Sequence, residues 1–485
     1  MAVNSSTGAL ALNSAADHTS KSSYAVTATA NDGGNSTTQN ITVNAIQVPV
    51  ATSVSNYVWN LRPKATNTYG VNLGGNVDSG KTASYSIVSN GTYGTASVNS
   101  STGRLSYSTT STAIVTEQIV FKVSDGTRDS ANATISIAHK SDPLYKYQWH
   151  LNNTGQTNFA SNAGTSGVDL NVDTVISDSI TGSGVTVAVV DSGLELTHED
   201  LAANIVANKS YDYANDDNDP APTGNDGDHG TSVAGIIAAV GWNNKGGRGV
   251  APGASLVGNN LIGGTYNQTI YSDALGGNVA NGFDPSDVDI FNMSFGRALT
   301  STFASPLPST YESALDRGVG TLRGGKGAIY VNASGNDWYE SDGSAKYCGP
   351  NYGTGAYSDL FPCWDSSFDP VFATPYIIGV ASLNADETRS KYSTPGSSVW
   401  VSGFGGDNGN NTGHTGYTYS GSEAKPAIMT IDESSCSKGY VKSGVSAGNA
   451  NNLNAFNNGD HADNASCNYT STFNGTSSAA PTVSG

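Results

Sequence analysis

The sequence predicts an α/β domain with a parallel sheet and helices on both faces, preceded by all-β sandwich modules. Residues 1–140 alternate Val, Ile, Tyr and Thr with polar residues and carry turn residues at short intervals, which is typical of strands. Later in the chain, the apolar run over residues 185–190 indicates a strand buried on both faces. Small and apolar residues after Asp228 predict a packed helix. A length of 485 residues suggests two to four domains.

An internal repeat divides the N-terminal region. The run from Val3 to Leu10 recurs from Val98 to Leu105. A repeat of this length indicates one β-sandwich domain per copy, and the copies resemble bacterial cadherin-like or immunoglobulin-like modules. We therefore expect a partial module at 1–46, a second at 47–140 and the α/β domain at 141–485. The modules could form a spacer or a stalk that contacts a cell surface, or they could be a passive linker.

Three polar residues stand at the ends of predicted elements in the α/β region. Asp191 ends the strand over 185–190, at the edge where open α/β sheets build their sites. His229 lies at the start of one helix, and Ser477 lies at the start of another, just after Gly475. Taken singly they could be a turn carboxylate, a core histidine and a helix cap. Their order of Asp, His and Ser favours a shared catalytic site instead.

These residue types are the ones that nucleophilic catalysis requires. A serine hydroxyl attacks a carbonyl only when an imidazole takes its proton, and a carboxylate fixes the tautomer of that imidazole. The oxyanion that forms needs a hydrogen-bond donor. The strand that begins near Ile329 ends in a small-residue turn at Asn336, so we assign the donor role to the Asn336 amide and the backbone N–H of Ser477.

The combined motifs resemble the subtilisin-like serine proteases, and they lie closest to the kexin- and furin-like branch. The resemblance covers residues 141–485 and includes the segment that opens at Asp142 and the acidic run over 211–220. It implies that Ser477 is the nucleophile of a serine endopeptidase. It also implies that one segment of the chain pairs with the substrate backbone as an added strand. That segment consists of Ser294, Phe295 and Gly296.

The same resemblance implies a structural calcium ion. Matching the convertase pattern gives Asp142, Asp200 and Asn243 as ligands, completed by nearby backbone carbonyls. Surface carboxylates and a turn asparagine would explain the same residues without a metal.

One carboxylate bears on which residue is preferred before the cut. The run Cys363-Trp364-Asp365 resembles the convertase segment that places a carboxylate at the base of the primary pocket, which implies a preference for Lys or Arg before the cut. Arg297 follows the substrate-binding segment where a convertase would be acidic, so strict dibasic specificity is not expected. Asp365 could equally be an ordinary loop carboxylate. The alternatives are a broad-specificity subtilisin and a surface adhesion protein whose protease-like domain is inactive.

Charge and composition narrow the choice of partners. The net charge of −18 argues against a nucleic-acid or anionic-membrane partner, and no apolar run is long enough to span a membrane. We expect protein or peptide substrates, and a secreted or cell-surface location. No signal peptide is visible, the first module begins in mid-motif, and the Ser477 helix stops after a few residues. A chain shortened at both ends is therefore expected.

The four cysteines are expected to form two local disulfides in an oxidising compartment. Cys348 lies near Cys363, and Cys436 lies near Cys467, all in irregular stretches. Four cysteines allow three pairings, and the two local loops are favoured over the others and over free thiols. No Cys-x-x-Cys spacing supports a zinc site.

Overall fold

The computed structural model describes residues 2–4, 6–11, 21–60, 67–111, 113, 115–172, 175, 180–222, 228–263, 267–277, 282–296, 306–336, 365–407, 409, 425–441 and 454–485. The chain forms two compact units. One comprises residues 1–59 and 64–139, and the other comprises residues 60–63 and 140–485.

The N-terminal unit is rich in antiparallel strands. Its strands are β1 (Ala2–Val3), β2 (Leu10–Ala11), β3 (Ser23–Asn31), β4 (Ser36–Asn44), β5 (Val50–Thr52), β6 (Val54–Asn60), β7 (Asn67–Asn72), β8 (Gly74–Asn76), β9 (Ser84–Ser89), β10 (Thr95–Val98), β11 (Arg104–Thr109), β12 (Thr116–Ser124) and β13 (Ala133–Lys140). The larger sheets have the orders β6-β13-β12-β9 and β10-β11-β7. The remaining strands form the pairs β1-β2, β3-β4 and β5-β8.

Two of these sheets share one hydrophobic core. Residues along β12 and β13 alternate between buried and partly exposed, as a sheet with one packed face requires. Their inward side chains pack with those of the other sheet, including Leu105 and Tyr107. The expected antiparallel, strand-rich region is therefore present. The module boundary between residues 46 and 47 and the likeness to cadherin-like modules remain predictions.

The second unit is built on a seven-stranded parallel sheet. Its strands are β14 (Thr186–Asp191), β15 (Tyr211–Asp212), β16 (Ser255–Asn260), β17 (Ile290–Met293), β18 (Ile329–Ala333), β19 (Ile377–Leu383) and β20 (Val399–Phe404). Their order is β15-β16-β14-β17-β18-β19-β20. Every pair whose register is defined is parallel. The strand predicted to end at Asp191 is therefore a central one.

Helices and one antiparallel pair of strands also belong to this unit. The helices are α1 (Asp228–Ala238), α2 (Gln268–Ala274), α3 (Ser309–Gly325) and α4 (Thr476–Ser484). The antiparallel pair consists of β21 (Ile428–Ile431) and β22 (Tyr469–Phe473). Short 3₁₀ turns span Tyr145–Tyr147, Ser366–Phe368, Pro370–Ala373, Gly439–Val441 and Ala462–Asn464. The last turn of α3 is kinked, because Leu322, Arg323 and Gly324 leave helical geometry. Among the described residues, no helix has both the length and the apolar character needed to cross a membrane.

The sheet is covered on both faces, as predicted. Val187 and Val189 of β14 pack with the apolar face of α1, whereas Ala188 and Val190 pack with side chains of α2 and α3. Alternate residues of one strand thus enter two separate cores, which explains why residues 187–190 are all apolar. Helix α4 packs through Ala479 and Ala480 on Val331 and Val380. Small residues after Ser477 permit this close approach.

Candidate active site

Asp191 lies at the carboxyl end of central strand β14 and is completely buried. Its Oδ1 accepts hydrogen bonds from the backbone N–H of Ser192 at 2.7 Å and from the ring of His229 at 2.8 Å. Its backbone carbonyl accepts from Leu261 and Ile262. Oδ1 is therefore held by two donors inside a site that is closed to solvent.

His229 is the second residue of α1, and 31% of its side chain is exposed. Because Nδ1 faces a carboxylate, which only accepts, this nitrogen carries the ring proton and Nε2 carries the lone pair. The ring of Phe473 stands edge-on to the imidazole, with ring centroids 5.3 Å apart. The histidine is thus fixed in the tautomer that can take a proton through Nε2.

Ser477 is the second residue of α4 and is half-buried. Its hydroxyl donates to the backbone carbonyl of Ser294 at 2.8 Å. Ser294 follows β17, the sheet neighbour of β14, and it is buried, whereas Phe295 is half-buried and Gly296 is exposed. The predicted nucleophile and the predicted substrate-binding segment therefore lie together at one edge of the sheet.

Asn336 follows β18, the next strand along, and its amide is oriented by Thr476. The backbone N–H and the hydroxyl of Thr476 both donate to Asn336 Oδ1, at 2.9 and 3.0 Å. Since Oδ1 accepts these bonds, the Nδ2 group is left as the donor. Gly335 N–H donates in turn to the Thr476 hydroxyl. The turn after β18 and the start of α4 are thus locked to each other.

Gly475 leaves a gap between two donors. It has φ +97°, and a Cβ added there would lie 3.2 Å from Asn336 Nδ2, 3.5 Å from the backbone nitrogen of Ser477 and 3.5 Å from Asn336 Oδ1, which already accepts from Thr476. A small acceptor atom in this gap would therefore be near both donors. This is the arrangement that stabilises an oxyanion.

Asp365 is linked to the turn before Asn336 by hydrogen bonds through an intermediate segment. Its Oδ1 accepts from Ser367 N–H at 2.8 Å and caps the turn Ser366–Phe368. The neighbouring Ser366 N–H donates to the Pro395 carbonyl, and Thr394 N–H donates to the Gly335 carbonyl. The segment over 394–396 thus connects Asp365 to the turn that carries Asn336.

The predicted metal ligands also come together, in a group that we call the carboxylate cluster (Asp142, Asp200 and Asn243). Asp142 Oδ1 accepts from Trp242 N–H at 2.6 Å, and Asp200 Oδ1 accepts from Asn243 Nδ2 at 2.6 Å. Both carboxylates are buried, and in the described part of the chain neither Oδ2 has a hydrogen-bond partner. Burial raises the pKa of Asp142 to about 7 and that of Asp200 to about 8.

Two buried carboxylates, each with an unpartnered oxygen, fit a hard cation. A Cβ on Gly246 would lie 2.3 Å from Asp200 Oδ2, so only a glycine leaves this oxygen open on that side. Asn243 directs its Nδ2 at Asp200, while its Oδ1 accepts from Lys245 N–H at 2.9 Å, so the amide must turn before its oxygen faces the carboxylates. Among the described residues, no three or more His, Cys, Asp or Glu side chains are grouped so that they could hold a metal ion, and this cluster has two carboxylates and one amide.

One of the two expected disulfides is present. Cys436 and Cys467 are joined, and they close the long connection between β21 and β22. Cys348 and Cys363 lie outside the described residues.

Several residues that shape the site were not identified from the sequence. Thr476 stands between two residues that were noted, but its role in orienting an amide 140 positions away becomes visible only in the structure. Tyr392 accepts from the Gly475 N–H at 2.9 Å, and Phe473 packs on His229. No sequence signal marks Tyr392, whereas Phe473 could have been suspected from its place four residues before Ser477.

Comparison with known proteins agrees with this geometry. A family model described as the subtilase family matches residues 182–485, more than half of the chain. The Aeromonas extracellular serine protease of Aeromonas sobria is 36% identical over 349 residues, which cover 71% of this chain and 51% of the relative. Human neuroendocrine convertase 2 is 36% identical over 215 residues, 44% of this chain and 32% of the relative.

A solved structure shows the same fold. The serine protease of Aeromonas sobria in complex with the chaperone ORF2 matches with a TM-score of 0.59 and 32% identity, covering 71% of this chain and 53% of that one. The chain therefore spans about half the length of this relative, and less of the convertase.

Proposed function

Because this chain belongs to the subtilase family, we propose that it is a secreted serine endopeptidase that hydrolyses peptide bonds with Asp191, His229 and Ser477. The observation that carries this proposal is the hydrogen bond of 2.8 Å between Asp191 Oδ1 and His229 Nδ1. Ser477 and the oriented Asn336 amide lie at the same edge of the sheet. The described residues thus supply a base, a nucleophile and an oxyanion donor.

Each group has a defined role in the reaction. The Ser477 hydroxyl turns away from the Ser294 carbonyl, to which it donates in this structure. His229 Nε2 then takes its proton as Oγ attacks the scissile carbonyl, and Asp191 stabilises the imidazolium that results. The carbonyl oxygen becomes negative and is bound by Asn336 Nδ2 and the Ser477 N–H, which flank the gap beside Gly475. His229 then protonates the leaving amine, and water hydrolyses the acyl-enzyme by the reverse sequence. The segment 294–296 holds the acyl side of the substrate as an added strand.

A preference for Lys or Arg before the cut is the second part of the proposal. Asp365 supports it, because this carboxylate is connected through residues 394–396 to the turn that carries Asn336. The convertase-like motifs that point to Asp365 are accompanied by matches to a furin-like protease and a neuroendocrine convertase, each over less than half of this chain. Strict dibasic specificity is not proposed, since Arg297 stands where a second acidic residue is expected.

A structural calcium ion at the carboxylate cluster is the third part. Asp142 and Asp200 would each give their unpartnered Oδ2, and Asn243 would add its amide oxygen once it has turned. The ion would supply positive charge to two buried carboxylates and would have no part in peptide hydrolysis. Chelation is therefore expected to lower the melting temperature before any chemical step is affected.

Secretion is supported by the Cys436–Cys467 disulfide and by the extracellular relative of Aeromonas sobria. Contact of the N-terminal strand-rich unit with a cell surface is also proposed, from the resemblance of its repeats to adhesive modules.

A mixed peptide library separates the candidate functions. We expect the unaltered chain to cut mainly after Lys or Arg, and Ser477→Ala to lose at least about 10³-fold in kcat/KM. Asp365→Asn should reduce cleavage after basic residues, while the exposed control Asp316→Asn on α3 should not. Cuts scattered over apolar residues would indicate a broad-specificity enzyme. Absence of cleavage by the unaltered chain would favour the adhesion alternative.

A further inference from the structure

Tyr392 lies between β19 and β20, and its hydroxyl contacts the backbone just before Ser477. The phenolic oxygen accepts the Gly475 N–H at 2.9 Å, and the hydroxyl donates to the Gly406 carbonyl at 2.6 Å. A carbonyl can only accept, so the single hydroxyl proton points to Gly406 and a lone pair points to Gly475. One side chain therefore joins the turn before α4 to the segment that follows β20.

Gly475 depends on such contacts for its orientation. Its φ of +97° and ψ of 171° form a combination that is essentially restricted to glycine and persists only where the surroundings hold it. Without a Cβ the backbone turns freely, so hydrogen bonds must fix it. The Gly475 carbonyl is held from within α4, by the Ser478 hydroxyl at 2.9 Å. Tyr392 holds the N–H from outside this helix.

The orientation of Gly475 decides where the two oxyanion donors lie relative to each other. The gap beside Gly475 separates Asn336 Nδ2 from the Ser477 nitrogen. The direction of the Ser477 N–H follows from the backbone of the two residues before it. Thr476 is fixed by its bonds to the Asn336 amide, so the remaining freedom of rotation lies at Gly475. A rotation there would move the start of α4 and change the width of the gap.

We propose that Tyr392 is a positioning residue of the oxyanion site, because its hydroxyl holds Gly475 so that the Ser477 N–H and Asn336 Nδ2 face the same gap. This inference rests on the function proposed above. Phenylalanine at this position would affect chiefly Gly475, since the Gly406 carbonyl also accepts from the Ser390 hydroxyl at 3.0 Å. The Gly475 N–H would lose the partner that holds it.

Kinetics of Tyr392→Phe on a peptide substrate tests this role. We expect kcat to fall about tenfold, less than the loss of about 10²–10³-fold that follows removal of a whole oxyanion donor. KM should change by less than about twofold, because the variant leaves the segment 294–296 untouched. A loss confined to kcat indicates an interaction that acts in the transition state.

A peptide aldehyde supplies a second readout that a general structural role would not move. The Ser477 Oγ adds to the aldehyde carbon, the hydroxyl proton passes to His229, and the aldehyde oxygen enters the gap beside Gly475. The Ki of this inhibitor should rise in Tyr392→Phe by about the same factor as kcat/KM falls. The matched control is Tyr330→Phe, which removes a buried hydroxyl that donates to the Leu275 carbonyl at 2.9 Å. It should leave kcat and Ki unchanged.

The outcomes separate this inference from the proposed function. Unchanged kcat and Ki in Tyr392→Phe, with activity lost in Asn336→Ala, would overturn the role of Tyr392 and leave the oxyanion site in place. A higher KM with unchanged kcat would overturn it too, as would an equal loss of kcat in Tyr330→Phe. If Tyr392→Phe melts below the assay temperature, the loss follows from unfolding and the role is also overturned. Absence of cleavage by the unaltered chain would overturn the proposed function and the inference together.

Discussion

At the scale of single residues, the gap beside Gly475 determines whether an oxyanion can be bound. Gly475→Ala would place a methyl group 3.2 Å from Asn336 Nδ2 and 3.5 Å from the Ser477 nitrogen, at a φ of +97° that favours glycine. We expect kcat to fall by about 10²-fold or more, because removing one oxyanion donor has that effect in related chemistry. Steady-state kinetics on a peptide substrate measures this.

A second glycine with a positive φ serves as a control, because it distinguishes the effect of filling the gap from the effect of backbone strain. Gly184 has a φ of +89°, and a Cβ there would meet no atom within 4 Å. Gly184→Ala should therefore carry a similar strain and leave kcat unchanged. Equal losses in the two variants would show that strain, and not the filled gap, is responsible.

His150 should make the stability of the chain depend on pH. It is fully buried, neither ring nitrogen has a hydrogen-bond partner in the described part of the chain, and burial lowers its pKa to about 3. The unfolded chain takes up this proton near pH 6.5, while the native chain does not until about pH 3. Stability is therefore lost as the pH falls between these values, by about 1.4 kcal/mol per pH unit for this one proton.

Chemical denaturation of the unaltered chain and of His150→Leu between pH 4 and 7 measures this contribution. The difference between the two free energies of unfolding should shrink or reverse as the pH falls, because the leucine has no proton to gain. A constant difference across this range would show that His150 does not titrate on unfolding.

The site illustrates what a sequence can reveal at this scale. The sequence identifies four candidate residues, because each stands at an end of a predicted element and has a side chain that can take part in catalysis. They are Asp191, His229, Ser477 and Asn336. Thr476 was not identified, because its role depends on a distant partner. The carboxylate cluster was proposed by resemblance alone, whereas the two unpartnered Oδ2 atoms are a property of the folded chain.

At the scale of elements, the order of strands brings the catalytic residues together. β14, β17 and β18 are neighbours, and residues Val190, Met293 and Asn332 are in register across them. Asp191, Ser294 and Asn336 follow these positions and therefore emerge at one edge. The apolar runs predicted the strands, but the order in which strands pair is set by long-range packing, which local patterns do not encode.

The stability of the strand pair β21-β22, which precedes Ser477, should depend on the disulfide. Cys436 and Cys467 are 31 residues apart and close the connection between β21 and β22, and β22 leads directly to α4. Replacing both with alanine should lower stability by about 3–4 kcal/mol in the chain-entropy model. The melting temperature should fall while kcat measured well below it changes little. An unchanged melting temperature would show that packing alone holds this connection.

At the scale of the whole molecule, each unit has its own hydrophobic core. The N-terminal core lies between two antiparallel sheets, and the cores of the second unit lie on the two faces of the parallel sheet. This division was predictable, because strand alternation and buried apolar runs are different patterns. The boundaries of the N-terminal modules rest only on a sequence repeat and remain predictions.

The central claim is that Ser477 is a nucleophile activated by His229 and Asp191. Reaction of the full chain with a fluorophosphonate, followed by peptide mapping, tests it most directly. We predict one phosphonylated residue, Ser477, no adduct in Ser477→Ala, and much slower labelling in His229→Ala. An adduct on another serine, or equal labelling of the unaltered chain and Ser477→Ala, would contradict the account.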